Sequence, residues 1–201
     1  MVVIKIRVVS SPLHDDSGGD AYLVKRLANK VLLAVVDGLG HGHMANLAAN
    51  RTIELLKANQ DTQLEKILDS IHKALANTVG VVLGLALVDY QFSQLTCAGV
   101  GNITIKLIGN NIDEVILPTG ILGYRKNNFL LRTITISQDS LLLMHTDGIL
   151  DCYKLNPSYL ASPQQLVQTL MSKYRRPNDD VLVLVASELL NKDYEEQLIK
   201  T

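Results

Sequence analysis

The chain has 201 residues, enough for a substantial core, and we predict a single domain over residues 1–201. A net charge of −1 without a basic block argues against non-specific nucleic-acid binding, and an aromatic content of 4% leaves few rings on which bases could stack. Two cysteines make neither a disulfide framework nor a zinc site, and neither a signal peptide nor an apolar run of ~20 residues is present, so we expect a cytoplasmic protein without a membrane span.

The first third of the chain predicts three strands followed by two helices. Alternating or continuous apolar runs predict strands over Val2–Val9, Ala21–Leu27 and Val31–Val36, with a polar turn between the first two. Apolar residues then recur at helical spacing, which predicts helices over His43–Ala58 and Thr62–Ala76.

The remainder of the chain is predicted to be mostly strands. The predicted strands are Val81–Asp89, Leu95–Gly99, Ile103–Leu107, Ile112–Leu117, Phe129–Ile136, Leu141–His145 and Val181–Val185. Helices are predicted over Pro163–Tyr174 and, at the C-terminus, over Glu188–Ile199. This order predicts a mixed α+β domain in which helices cover two antiparallel sheets.

Acidic residues flank several of the predicted strands. Asp37 directly follows Val31–Val36, Asp147 follows Leu141–His145 after one residue, and Asp179-Asp180 precedes Val181–Val185. Because the end of one antiparallel strand lies beside the start of its neighbour, these acids can meet at one edge of a sheet. Carboxylate and carbonyl oxygens are the ligands that magnesium and manganese favour, so the pattern indicates a site for hard divalent cations.

Each of these motifs also has a simpler interpretation. An Asp-Gly pair after an apolar run is commonly a tight turn, and only the joint occurrence of several such acids favours a metal site. For His41 and His43 we favour solvated positions at a helix start over metal ligation, and for His145 a hydrogen-bonded core position. A dinucleotide fingerprint, a phosphate-binding P-loop and a nucleophile elbow are all missing from the sequence.

In these motifs the chain resembles the metal-dependent serine/threonine phosphatases of the 2C type, in the bacterial branch typified by SpoIIE and RsbX. The motifs that carry the resemblance occur in family order: Gly19-Asp20, Asp37-Gly38-Leu39-Gly40-His41-Gly42, Ala98-Gly99-Val100-Gly101-Asn102, Leu117-Pro118-Thr119-Gly120-Ile121-Leu122-Gly123, Thr146-Asp147-Gly148 and Asn178-Asp179-Asp180. Each is short, but together they span nearly the whole chain.

The resemblance implies a four-layer αββα sandwich with two Mn2+ or Mg2+ ions at one edge. By motif, Asp37 would bridge both ions and the Gly38 carbonyl would bind one of them. Asp147 and Asp179 would hold one ion, with Asp180 as the alternative to Asp179, and Asp20 would lie near the other ion. Asp37 and Asp147 are the implied catalytic residues, because they would hold the ions that activate the attacking water.

Three positions depart from the family pattern. Leu39 stands where many eukaryotic relatives have a histidine that protonates the leaving oxygen, which leaves His41 or water for that role. No clear counterpart of the phosphate-binding arginine is present, and Arg7 and Arg26 are candidates. Leu182 replaces the usual Thr or Ser, which removes a hydroxyl but no implied ligand.

The implied function is dephosphorylation of phosphoserine or phosphothreonine on bacterial signalling proteins. The resemblance points to phosphorylated STAS-domain stressosome proteins or anti-anti-sigma proteins as substrates. Two alternatives stay open: a non-catalytic phosphoprotein-binding module on the same fold, and a phosphatase of small molecules or nucleotides.

Overall fold

A computed structural model describes residues 3–13, 18–125, 128–190 and 193–200. The strands of these ranges are β1 Val3–Ser11, β2 Asp20–Leu27, β3 Lys30–Gly38, β4 Val81–Asp89, β5 Gln94–Val100, β6 Thr104–Ile108, β7 Ile112–Val115, β8 Arg132–Thr135, β9 Leu141–His145, β10 Val181–Ser187 and β11 Asp193–Lys200. The helices are α1 His43–Ala58, α2 Leu64–Ala74 and α3 Pro163–Lys173, with a 3-10 turn at Pro157–Leu160.

These strands form two sheets. The first has the order β11-β1-β10-β9-β6-β7 and the second the order β2-β3-β4-β5-β8. Paired strands are antiparallel in both sheets, apart from the parallel pair of β1 and β11. The prediction of two antiparallel sheets is confirmed, with this one parallel pair at an edge.

Side-chain alternation along the strands builds the four layers. In β3, Val31, Leu33 and Val35 belong to the core between the two sheets, while Leu32, Ala34 and Val36 belong to the core under α1 and α2. In β10 the residues alternate in the same way between the inter-sheet core and the core under α3. A strand buried on both faces has a continuous apolar sequence, which explains the apolar runs of β3 and β10. The fold is the predicted αββα sandwich.

Helix α1 can lie close to the sheet in its first half, because the buried residues there are small. Ala45, Ala48 and Ala49 are buried, and α1 contacts β2 and β3. Its bounds agree with the predicted helix, and α2 is shorter than predicted by two residues at each end. Among the described residues, no helix is long and apolar enough to cross a membrane.

The predicted C-terminal helix over Glu188–Ile199 is wrong. Within the described residues, β11 pairs in parallel with β1 from Val3↔Asp193 to Ser10↔Lys200. Leucine, glutamate and lysine favoured a helix locally, but β1 would otherwise be an edge strand with unpaired backbone groups, and pairing with it outweighs a weak local propensity. Residues 191–192 of that prediction, residue 2 of the first predicted strand and residues 14–17 of the predicted turn lie outside the described residues.

Strand pairing brings the flanking acids to one edge of the sandwich. In the second sheet, the start of β2 lies beside the end of β3, so that Asp20 pairs with Asp37. In the first sheet, the end of β9 lies beside the start of β10, with His145 opposite Val183. Each sheet therefore brings one strand end and one strand start to this edge. The acids meet as predicted, but they come from two packed sheets and not from neighbouring strands of one sheet.

Candidate active site

A cleft of about 430 Å3 opens at this edge between the two sheets. Three carboxylates line it, those of Asp37, Asp147 and Asp179, together with the side chain of Asn102. The remaining wall comes from Leu39-Gly40, Val82, Gly101 and Thr119-Gly120-Ile121. Five of the six motifs that carry the family resemblance therefore contribute residues to one cleft, the exception being Gly19-Asp20.

Asp37 and Asp20 are direct cross-strand neighbours on β3 and β2. Burial raises the pKa of Asp37 to about 7, with further contributions from the charges of Asp147, Asp179 and Asp180. Burial also raises the pKa of Asp20 well above its usual value, and the next cause is the charge of Asp37. The acids therefore repel one another when nothing positive lies between them.

Thr146 ties Asp20 to the other sheet. Its Oγ1 donates a hydrogen bond to Asp20 Oδ2 at 2.7 Å and accepts one from the backbone N of Leu182 at 3.0 Å. Thr146 is fully buried, and Asp20 lies outside the cleft lining. The structure thus holds Asp20 beside Asp37 but outside the set of residues that line the cleft.

Asn102 fixes the carboxylate of Asp147. Its Nδ2 donates to Asp147 Oδ2 at 2.9 Å, and the preceding Gly101 donates its backbone N–H to the carbonyl of Pro118 at 2.9 Å. Gly101 has φ +95°, and a Cβ there would lie 2.2 Å from Val82 Cγ1, so this turn requires glycine. Asn102 leaves Asp147 Oδ1 free of this bond and directs the carboxylate into the cleft.

The two adjacent aspartates before β10 have different environments. Asp179 lines the cleft, whereas Asp180 accepts hydrogen bonds from the backbone N of Leu13 at 2.6 Å and of Gly19 at 2.7 Å. Burial, and then the charge of Asp147, raises the pKa of Asp179. Asp180 thus anchors the loop before β2, and Asp179 is the acid that adjoins Asp147.

Gly38 lies where β3 meets the start of α1. A Cβ on Gly38 would lie 2.2 Å from the carbonyl oxygen of Ala45, so only glycine allows the helix to approach this closely. The Gly38 backbone N donates to Gly19 at 3.0 Å, and the Leu39 backbone N donates to Gly80 at 3.0 Å. Hydrogen bonds therefore fix Gly38 to the segment before β2 and Leu39 to the segment before β4, directly after Asp37.

The donor set suits a hard divalent cation, although its members are not drawn together. Three carboxylates on one cleft supply the oxygen ligands and negative charge that Mg2+ or Mn2+ favours. Part of the rise in the pKa of Asp37 and of Asp179 comes from neighbouring carboxylates, a repulsion that a cation would offset. Within the described ranges, no three His, Cys, Asp or Glu side chains are close enough together to hold a metal ion as they stand. The residues fit a metal site by their chemistry and by their position on one cleft, but the carboxylates are not close enough together to coordinate a single ion.

Comparison with known proteins identifies the family. The family model for Stage II sporulation protein E (SpoIIE) matches residues 28–191. The chain belongs to the SpoIIE family. The predicted relationship to 2C-type phosphatases is confirmed.

Similar proteins agree with this assignment. Phosphoserine phosphatase RsbX of Bacillus subtilis (strain 168) is 26% identical over 134 residues, which cover 65% of this chain and 67% of RsbX. A chain from the structure described as "The bacterial stressosome: a modular system that has been adapted to control secondary messenger signaling" is 32% identical, with a TM-score of 0.84 over 92% of this chain and all of that one. RsbX in complex with magnesium has a TM-score of 0.78 at 22% identity, over 89% of this chain and 92% of RsbX, and shows the same fold. The chain is therefore homologous to phosphoserine phosphatases, as its motifs predicted.

None of the described histidines of this SpoIIE-family chain lines the cleft. His41 and His43 are exposed at the start of α1, as expected. His145 is buried and bonded at both ring nitrogens, to the carbonyl of Thr146 at 2.8 Å and to the hydroxyl of Tyr153 at 2.7 Å. Burial lowers its pKa, which favours the neutral ring. His145 is therefore the predicted hydrogen-bonded core histidine.

Leu39 stands where many eukaryotic relatives have a histidine. It lines the cleft with an apolar side chain that is 49% exposed.

Arg7 and Arg26, the two candidates for binding phosphate, both lie elsewhere in the structure. Arg7 lines a groove with Lys5, Glu188 and the start of α3. Arg26 lies near the turn between β2 and β3, at the end of the sheet opposite Asp20 and Asp37. Among the described residues that line the cleft, none is an arginine, lysine or histidine.

Sequence reasoning assigned no role to three residues that the structure brings to the site. Asn102 and Thr146 stand in quoted motifs, so their positions carried a signal, but their bonds to Asp147 and Asp20 span two strands or two sheets. Arg176 adjoins Asp179 in a neighbouring groove, and the sequence there showed only a charged pair before a proline. Such long-range neighbours depend on the topology and cannot be read from spacing.

Proposed function

We propose that residues 1–201 act as a single metal-dependent phosphatase domain that removes phosphate from serine or threonine of bacterial signalling proteins. The observation that carries this proposal is the convergence of Asp37, Asp147 and Asp179, from three separate strand ends, on one open cleft. The alternatives of the sequence analysis explain this less well, because a binding module has no need to collect three mutually repelling acids.

The roles of the residues follow from their positions. Asp37 would bridge two Mn2+ or Mg2+ ions, Asp147 and Asp179 would hold one of them, and the carbonyl of Gly38 would bind one. Asp20 would lie near the other ion, and the hydroxyl of Thr146 orients its carboxylate. When bound, such ions supply an activated water and offset the charge of the phosphoryl group.

The chain's own groups would prepare the site for this chemistry. Asn102 orients Asp147, and the backbone anchors of Gly38 and Leu39 hold the loop after Asp37 in place. Because the ligand carboxylates must be ionised, a raised pKa at Asp37 would make metal binding weaken as the pH falls below about 7. The proton for the leaving oxygen would come from water or from His41, since Leu39 cannot provide it.

The proposed substrates are phosphorylated STAS-domain proteins of a stressosome, or anti-anti-sigma proteins, in the cytoplasm. Similarity to RsbX and to a chain from a stressosome structure supports this assignment. A half-exposed Leu39 at the cleft and the open shape of the cleft suit a folded protein substrate better than a small molecule, which is normally enclosed on most sides.

The test compares manganese-dependent hydrolysis of p-nitrophenyl phosphate and of a phosphorylated STAS domain by the wild type, Asp37→Asn and Asp147→Asn. We expect both variants to lose turnover while circular dichroism shows an intact fold. Asp139→Asn, an exposed acid in the turn before β9, is the matched control and should keep full activity. An active Asp37→Asn enzyme, or a wild type that hydrolyses neither substrate, would contradict the proposal.

A further inference from the structure

A positively charged side chain, that of Arg176, lies beside the acidic cleft, although no positively charged residue is among the described residues that line the cleft. Arg176 is exposed and lines a second groove with Leu150, Pro177, Asn178 and Asp179. Asp179 lines both the groove and the cleft, so the groove adjoins the cleft at this residue.

The backbone holds Arg176 at a fixed place relative to Asp147. The segments 148–150 and 174–176 run side by side, because Arg176 N donates to the Gly148 carbonyl at 2.8 Å and Leu150 N donates to the Tyr174 carbonyl at 2.8 Å. Between these two bonds, Ile149 and Arg175 form an antiparallel bridge. The backbone of Arg176 is thereby held beside Gly148, the residue that follows Asp147, and Arg176 belongs to the segment that leads to Asp179.

We propose that the guanidinium of Arg176 binds the phosphoryl group of the substrate at the Asp179 side of the cleft. This inference rests on the proposed function, because it assumes that a phosphate monoester occupies the cleft. A dianion needs positive charge, and a guanidinium can donate two parallel hydrogen bonds to phosphate oxygens. Arg176 takes the role for which the sequence suggested Arg7 and Arg26, whose positions exclude them.

The test measures inorganic phosphate binding to the full chain by isothermal titration calorimetry in the presence of Mn2+. Arg176→Ala should weaken phosphate binding about tenfold or more, because hydrogen bonds to charged groups contribute that much. Arg176→Lys, which keeps the charge but loses the paired donors, should lie between Arg176→Ala and the wild type. Arg7→Ala is the matched control and should bind phosphate like the wild type.

Kinetics on two substrates separates binding of the phosphoryl group from docking of the substrate protein. Arg176→Ala should raise KM about tenfold for both p-nitrophenyl phosphate and a phosphorylated STAS domain, with a smaller effect on kcat. A raised KM for the phosphoprotein alone would overturn the inference and identify a docking residue instead.

The calorimetric outcome is independent of turnover. Unchanged phosphate affinity in Arg176→Ala, or no phosphate binding by the wild type, would overturn the inference. Phosphate binding that depends on Arg176 in a wild type without hydrolytic activity would instead contradict the proposed function and leave this inference standing.

Discussion

Asp20 and Asp37 are direct partners across β2 and β3, and a residue of the other sheet, Thr146, donates a hydrogen bond to the first of them. Two carboxylates on adjacent strand positions repel each other, as like charges do in any directly opposed pair. Both are also partly withdrawn from water, which raises both pKa values. The pair therefore opposes folding at neutral pH and is suited to a bound cation that offsets its charge.

The metal-free protein should lose stability as the pH rises from about 4 to about 7. Asp37 has a folded-state pKa of about 7 against an unfolded value near 3.8, so the folded state holds the extra proton in that window. Stability then falls with rising pH, because the folded state binds more protons than the unfolded state. Urea unfolding in EDTA at several pH values measures this slope.

Asp37→Asn provides the comparison for that prediction. Asparagine cannot ionise, so the free energy of unfolding of the metal-free variant should depend less on pH. At pH 8 it should exceed that of the wild type by on the order of 2 kcal/mol, after allowance for partial solvent screening. Manganese should raise the Tm of the wild type and leave that of Asp37→Asn nearly unchanged. A variant less stable than the wild type at pH 8 in EDTA would show that repulsion at Asp37 is not the governing effect.

Asp179 and Asp180 should respond to substitution in opposite ways. Asp179→Asn removes a carboxylate from the cleft and relieves repulsion with Asp147, so we expect weaker manganese binding and unchanged or higher metal-free stability. Asp180→Ala leaves the N–H groups of Leu13 and Gly19 without their acceptor, which should cost about 1–3 kcal/mol of stability.

Calorimetry with Mn2+ and urea unfolding, applied to both variants, distinguish these roles. The expected pattern is a defect in metal binding for Asp179→Asn and a defect in stability for Asp180→Ala. If Asp180→Asn, which keeps one acceptor oxygen and removes the charge, lost manganese binding while Asp179→Asn kept it, the assignment of the ligand would have to be exchanged.

The strands and the meeting of the acids could be predicted because both depend on local patterns. Continuous apolar runs identified β3 and β9, and the antiparallel rule placed Asp147 near Asp179 without any knowledge of the strand order. The rule assumed a single sheet, whereas Asp37 reaches the same edge from the second sheet of the sandwich. The predicted α1 had the observed bounds, since a glycine-rich turn precedes it and the apolar period changes there.

Other features were not predictable because they depend on contacts distant in sequence. The helix expected over Glu188–Ile199 has a helical composition, and only the open edge of β1 makes β11 a strand. The sequence could not decide between Asp179 and Asp180, because the partners of Asp180 lie more than 160 residues away. The position of Arg176 likewise depends on its backbone bond to Gly148.

Thr146→Val should weaken the site while keeping the shape of the side chain. Valine fills the same space, but the Leu182 N–H loses its acceptor and Asp20 loses its donor, which should cost about 1–3 kcal/mol of stability. Because an unbonded Asp20 is held less firmly, manganese affinity should also fall. Thr146→Ser keeps the hydroxyl and should retain most of the stability and of the manganese affinity. Equal losses in the two variants would show that the hydrogen bonds of the hydroxyl do not account for the effect.

Gly38→Ala and Gly40→Ala should differ sharply although both glycines lie in the same motif. A methyl group at Gly38 would lie 2.2 Å from the Ala45 carbonyl oxygen, so α1 would have to move away from β3. At Gly40 the space is open, and the substitution meets only the cost of φ +87°, about 1 kcal/mol.

We expect Gly38→Ala to lose roughly 2–4 kcal/mol of stability by urea unfolding and to lose manganese binding, since α1 contacts the residue next to Asp37. Gly40→Ala should keep manganese binding within about threefold of the wild type, because a strain of that size need not move Asp37. Equal stability of the two variants would mean that α1 can shift at little cost, and that its close approach to Gly38 does not hold the site.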